Sequence, residues 1–284
     1  MRAEREPTLL AFAERARAFL GRDPVGNTVV CGVVEVAGRQ PERFEDASWF
    51  TVTGPDGEVA GAAIQTPPYP LGIVPMSDPA LAALADVVAV ELPDVGGLTG
   101  PLPYAGRFAE LWATRTGTVP QVRREMRLFR LDAVTPPAPD GGRLVPAGEL
   151  AGYRGLFADW VRAFVLAIEG ESANEPEQLV ERLIDRDGLW VWCDDGVPVS
   201  FASATMPAYA TTRIGLVYTP EELRGRGYAS RCVAALSQRA LDAGVTPVLF
   251  TDLANPTSNR IYRQIGYRPV LDAREYAFTP PTAP

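Results

Sequence analysis

Hydrophobic positions along this chain switch repeatedly between helical and strand periods, and the switches mark its elements. Leu9, Phe12, Ala13, Ala16, Phe19 and Leu20 recur at helical spacing and Gly21 ends the run, predicting an amphipathic packing helix. The valine-rich stretch Asn27 to Val36 reads as a strand. Ser48 to Thr53 and Glu58 to Gln65 flank Pro55-Asp56-Gly57 as the arms of a hairpin. Ala105 to Thr116 reads as a helix and Val122 to Leu131 as a strand. The stretch Val134 to Gly142, rich in proline and glycine, sustains neither a helix nor a central strand and reads as an extended linker.

Beyond the linker, Leu150 to Ile168 is helical, with Tyr153, Leu156, Phe157, Trp160, Phe164 and Ile168 on one side as a core face. A helix over Gln178 to Ile184 follows. Leu189 to Cys193 and Val199 to Ala204 then form a hairpin about Asp194-Asp195-Gly196. Ile214 to Thr219 reads as a buried strand closed by Pro220. From Ala229 to Ala243 the residues Cys232, Val233, Leu236 and Ala240 keep helical spacing, and Gly244 supplies a left-handed cap. Pro247 to Thr251 is the next strand, joined to the previous one by a crossover helix. A short helix opens at Asn255 or Pro256, has Ile261 and Ile265 on its apolar side, and ends at Gly266.

The two halves repeat weakly. Each runs helix, hairpin with an Asp-Gly turn, strand, a helix ending in Thr116-Gly117 or Ile265-Gly266, a proline three residues later, and a final strand. The expected organisation is therefore a domain over 1–133, a linker over 134–142 and a second domain over 143–284.

Composition narrows the chemistry. At 284 residues and 46% hydrophobic content the chain can fill two cores. No apolar run reaches membrane-spanning length and the N-terminus lacks a signal-peptide core, so a soluble cytoplasmic protein is expected, with no membrane partner. The three cysteines are few and widely spaced, against a disulfide framework or a zinc site. There is no histidine, which disfavours Ser-His-Asp hydrolases, Cys-His proteases and His-ligated metal enzymes; no metal is expected. A net charge of −8 disfavours nucleic acid and is compatible with a cationic acceptor such as an amine.

One stretch carries chemistry. Arg224-Gly225-Arg226-Gly227-Tyr228-Ala229 lies between a strand and a helix. A glycine-rich turn there leaves backbone N–H groups pointing outward with the positive end of the helix dipole behind them, which makes an anion cradle. Gly225 and Gly227 let the main chain approach a diphosphate, and Arg224 and Arg226 add charge. Farther on, Asn255, Ser258 and Tyr262 fall on about the same helix face. Spacing alone leaves Tyr262 open between a core tyrosine and a proton donor.

These residues resemble the GNAT superfamily of acyl-CoA-dependent N-acetyltransferases. Arg224, Gly227 and Ala229 fill its acyl-CoA signature, and Asn255, Ser258, Tyr262 and Gly266-Tyr267 match its later segment, so the resemblance covers roughly the second half of the chain. It implies an α/β (α+β) protein of tandem GNAT-like fold, with two mixed, mostly antiparallel sheets flanked by helices. It further implies a catalytic second domain that moves an acetyl or other short acyl group from acyl-CoA to a primary amine by direct attack in a ternary complex. The amine would be a small molecule or a peptide. The alternative is a non-catalytic acyl-CoA-binding or sensory protein.

The resemblance also distributes roles. Backbone groups of Leu216, Val217 and Tyr218 would pair with the pantetheine arm on a strand that the family bulges or splays; Arg224 to Ala229 would hold the pyrophosphate; Asn255 and Ser258, assisted by Asn259, would bind the donor arm. Tyr262 would be the general acid, its ordinary phenol pKa of about 10 keeping it protonated at neutral pH. Glu169 or Glu171, in the acceptor-side stretch after the aromatic helix, are the candidates for a base, with Tyr209 and Asp252 as weaker pocket residues. The first half departs from the pattern. It has Met76-Ser77-Asp78-Pro79-Ala80 where the cradle would lie and Ala113 where Tyr262 would stand, and reads as a degenerate copy that packs on or shapes the second.

Overall fold

The structure is a computed structural model and describes residues 1–169 and 175–280. Its regular elements are, in chain order, β1 (Arg2–Glu6), α1 (Leu9–Leu20), α2 (Thr28–Arg39), β2 (Ser48–Thr53), β3 (Val59–Gln65), β4 (Leu71–Ile73), α3 (Asp78–Glu91), β5 (Gly97–Pro101), α4 (Tyr104–Thr116) and β6 (Val119–Arg130). Then come β7 (Arg143–Pro146), α5 (Arg154–Glu169), α6 (Pro176–Asp185), β8 (Leu189–Asp194), β9 (Val197–Ala204), β10 (Thr211–Tyr218), α7 (Tyr228–Asp242), β11 (Thr246–Asp252), α8 (Pro256–Ile265) and β12 (Arg268–Thr279). Set side by side, the two runs have the same order: one strand, two helices, three strands, and then helix and strand in alternation.

The chain folds as two compact units. Unit 1 holds Met1–Leu128, Thr251–Asn255 and the chain from Pro269 onward; unit 2 holds Phe129–Phe250 and Pro256–Arg268. In unit 1 the strands lie in the order β1-β2-β3-β4-β5-β12-β6, with β4 and β5 parallel and β1–β2, β2–β3, β3–β4 and β5–β12 antiparallel. In unit 2 the order is β11-β10-β9-β8-β7, with β10–β11 parallel and the remaining pairs antiparallel. The fold is thus mixed and mostly antiparallel. The units do not follow the halves of the chain: the final strand, β12, pairs with β5 from Ala273↔Pro101 to Ala277↔Gly97 and belongs to unit 1. Period-two patterning assigns a segment to a strand but carries no information on which edge it joins.

One expected strand is a helix. Asn27 to Val36 was read from its valines, yet residues 28–39 form α2. Val30, Cys31 and Ala37 are buried while Val29 is 36% exposed, so the stretch presents one helical face, and burial of that face outweighs a modest β preference. The Asn27 side-chain amide donates to Leu20 O at 3.1 Å, fixing where the new helix starts. In α1, Phe12, Ala16 and Leu20 are fully buried as their spacing requires, and the Thr8 hydroxyl accepts from Ala11 N at 3.1 Å as the N-cap.

Unit 2 has apolar cores on both sides of its strands. α7 and α8 contribute Cys232, Val233, Leu236, Tyr262 and Ile265 to one, with Ile214 and Leu249 from the strands. α5 and α6 contribute Phe157, Trp160, Val161, Val180 and Leu183 to the other, against Val191 and Phe201. Of the face read from spacing on α5, Phe157 and Trp160 are core, packed edge-on and tilted against Phe201 with ring centres 6.5 and 5.4 Å away, whereas Tyr153, Leu156 and Ile168 are exposed, because the helix is covered along only part of that side.

Candidate active site

The site is built where β10 loses its partners. Its ladder to β11 runs from Thr211↔Thr246 to Arg213↔Val248, and beyond Arg213 no pairing continues among the described residues. On the other edge the register with β9 slips between Gly215↔Ser203 and Tyr218↔Phe201, which inserts one extra residue on β10. Leu216, at the slip, has φ of +45°, a left-handed conformation that costs a non-glycine residue on the order of 1 kcal/mol. The distortion is held from β9: the Ser200 hydroxyl donates to Tyr218 O at 2.8 Å and itself accepts from the Thr219 hydroxyl at 2.9 Å. Leu216 and Tyr218 pack toward α5 and Val217 toward α7, and all three residues are half-buried.

A short turn leads on to the glycine-rich loop. Leu223 N donates to Pro220 O and Arg224 N to Glu221 O, after which Arg224 is extended and its Nε donates to Thr219 O at 3.1 Å. Gly225 and Gly227 have φ of +78° and +81°, conformations that L side chains rarely adopt. Arg224, Gly225, Arg226 and Gly227 are exposed. The first α7 bond is Arg231 N to Gly227 O at 3.1 Å, so the N–H groups of Tyr228, Ala229 and Ser230 precede the helical ladder at the positive end of the helix. The loop is an exposed ring of backbone donors flanked by guanidinium groups. Tyr228 offers only its main chain, because its ring is buried and its hydroxyl donates to Asp194 Oδ2 at 2.6 Å.

α8 carries the remaining residues. Asn255 immediately precedes it and is exposed; Ser258 and Asn259 are half-buried. Tyr262 is 8% exposed, sits in the core beside Cys232 and Leu249, and packs edge-on against Tyr267 with ring centres 6.0 Å apart. Burial pushes its phenol up to about 12. The phenol thus stays protonated at neutral pH but is a weaker acid than its ordinary value suggests. Glu169 is the last residue of α5, and Glu171 lies outside the described residues. Tyr209 occupies a left-handed turn, at φ +50°, between Ala208 and Thr211, while Asp252 Oδ1 accepts from Ala254 N at 2.7 Å. Spacing gave no sign of three further participants: Ser200 and Thr219 at the bulge, and Arg231 behind the loop.

The first repeat lacks this apparatus. α3 opens at Ser77 with Pro79 in its first turn, and Met76, 5% exposed, packs where Gly61 leaves room for it. Unit 1 instead contains a cavity of about 780 Å³ lined by Phe44, Trp49, Leu9 and Val34, among others, with Arg5, Glu6, Glu45 and Glu91 also lining it. Its mixed charges select no ligand class, and none of the loop or α8 residues line it. Among the described residues no group of three or more His, Cys, Asp or Glu could hold a metal, and no helix is long and apolar enough to cross a membrane.

No curated protein matches the chain. Among solved structures it is similar to a GNAT-family acetyltransferase from Colwellia psychrerythraea, with a TM-score of 0.60 and 12% identity over 98% of this chain and 100% of that one. A Drosophila protein gives a TM-score of 0.67 and 13% identity over 99% of each chain. A tandem GNAT protein from the clavulanic acid biosynthesis pathway gives 0.54 and 15% over 99% of this chain and 100% of that one. These likenesses span both repeats and establish a tandem GNAT fold. Residues 154–267, which contain the bulged strand, the glycine loop and α8, match the acetyltransferase (GNAT) family, so the match falls on the second repeat.

Proposed function

We propose that the protein transfers an acetyl or other short acyl group from acyl-CoA to a primary amine, by direct attack of the amine within a ternary complex. The observation that carries this is the succession of a bulged, unpaired stretch of β10 and an exposed loop of backbone donors at the start of α7. An acyl-CoA needs both. Its pantetheine arm carries amides that pair with free strand edges, and its diphosphate suits a helix N-terminus flanked by Arg224 and Arg226. The distorted backbone at Leu216 to Tyr218 would direct an N–H at the thioester oxygen and stabilise the charge that develops there. Asn255, Ser258 and Asn259 would contact the donor arm from α8.

Direct attack is favoured over an acyl-cysteine intermediate. Cys31, Cys193 and Cys232 are all buried, and burial raises every one of their thiols, that of Cys31 to about 12, so none is a thiolate at neutral pH. Tyr262 is assigned to the leaving sulfur. With its phenol raised, a hydrogen bond to the departing thiolate costs less than complete proton transfer. Glu169 is retained as the candidate that relieves the amine of its proton.

Calorimetric titration with acetyl-CoA tests the reading. The native protein is expected to bind one equivalent, since the first repeat has no glycine loop, and a Gly225→Ala, Gly227→Ala variant is expected to lose binding. No binding by the native protein to acetyl-CoA or other short acyl-CoAs would overturn the assignment of the donor.

A further inference from the structure

Arg231 is the fourth residue of α7 and points back beneath the glycine loop. Its Nη1 donates to Arg226 O at 2.7 Å and its Nε to Ala138 O at 2.7 Å, and its guanidinium pairs with Asp140 Oδ2 at 3.1 Å. The side chains of Arg231 and Asp140 are 15% and 18% exposed, in contrast to the open arginines of the loop itself. Asp140 is held in turn, because its Oδ1 accepts from Gly142 N at 3.0 Å. The proline-rich stretch 134–142 is thus fastened to the loop by one guanidinium.

This grip fixes the direction of a peptide plane. The bond between Arg226 and Gly227 is trans, so its carbonyl and its N–H point opposite ways. With the Arg226 carbonyl turned toward Arg231, the Gly227 N–H faces away from the guanidinium, on the loop's outer side. Gly227 also makes room for the grip: a Cβ there would lie 2.8 Å from Arg231 Nη1. We propose that Arg231, balanced by Asp140, is a positioning residue that presets the loop's N–H groups for the diphosphate of the donor without touching the donor itself. The proposal rests on the acyl-CoA reading above.

Calorimetry with two ligands tests it: acetyl-CoA, and S-acetyl-pantetheine, which lacks the diphosphate. In Arg231→Gln the affinity for acetyl-CoA falls about tenfold, the scale of one lost charge-assisted hydrogen bond, while that for S-acetyl-pantetheine stays within about twofold. Arg231→Lys is nearly as weak, because an ammonium cannot span three acceptors with a planar fork. Asp140→Asn weakens acetyl-CoA binding about threefold in the same direction. The proposal is overturned if Arg231→Gln binds acetyl-CoA like the native protein, or if both ligands weaken alike, which marks a merely structural role. It is also overturned if Asp140→Asn binds acetyl-CoA more tightly, because a freed Arg231 would then be contacting the diphosphate directly. Should Arg231→Gln fail to fold by circular dichroism, Asp140→Asn decides alone. Failure of the donor assignment is read separately, from the native protein with acetyl-CoA before any variant is compared.

Discussion

Tyr262 is enclosed by the core of unit 2, and that enclosure sets what its phenol can do. Desolvation penalises the phenolate, so the hydroxyl remains a donor across the physiological range and does not itself impose a basic limb on activity below about pH 10. Once an acceptor is found, Tyr262→Phe is expected to lower kcat by roughly a hundredfold while leaving the Kd for acetyl-CoA within about twofold. Unchanged turnover would make Tyr262 a packing residue. The same burial couples to stability. Because the folded phenol titrates above its unfolded value, its contribution is fully present below about pH 10 and is lost as pH rises toward about 12. Alkaline unfolding should therefore begin above pH 10 and be less steep in Tyr262→Phe. At this scale the glycines were legible: Gly225 and Gly227 adopt the positive φ that a close-approach turn demands. The depth of Tyr262 was not, because period and spacing report which face a residue occupies but not what closes over it.

At the scale of elements, the bulge in β10 depends on neighbours far away in sequence. Ile214-Gly215-Leu216-Val217-Tyr218 reads as an ordinary buried strand, and its irregularity was expected only through the family resemblance. What holds it is a hydroxyl relay from β9, in which Ser200 is fully buried. Ser200→Ala would leave Tyr218 O without that donor, and is expected to cost about 1–3 kcal/mol of stability and to weaken acetyl-CoA binding more than Thr219→Ala does. Denaturant unfolding and calorimetry on the two variants check this; equal, negligible effects would show that the bulge is set by packing of Leu216 and Val217 alone. α2 makes the complementary point. Its valines satisfy a β pattern locally, and only burial of Val30, Cys31 and Ala37 on one face selects the helix. α1, no longer than α2, and α7 were readable because pattern and stop signals agree.

At the scale of the whole molecule, the repeated order of elements was visible in the chain, whereas the final membership of β12 was not. Arg274 pairs with Glu125 and Arg127 with Asp272, and Ala273 and Tyr276 are buried, so β12 is bound into unit 1 by side chains as well as by its ladder to β5. A chain ending at Arg268 should leave β5 with an open edge. It is expected to aggregate or to unfold at least about 10 °C below the full chain, and an added peptide spanning 268–280 should partly restore solubility. An unchanged melting profile would show β12 to be dispensable. The arrangement also bears on how the protein is made. Most of unit 1 precedes the second repeat in the chain but its β12 follows it, so the sheet of unit 1 must wait, edge open at β5, while the second repeat is synthesised. Birth order and folding order are therefore reversed for part of this chain, and any slowing of translation through the second repeat lengthens the interval in which β5 is exposed to the wrong partner.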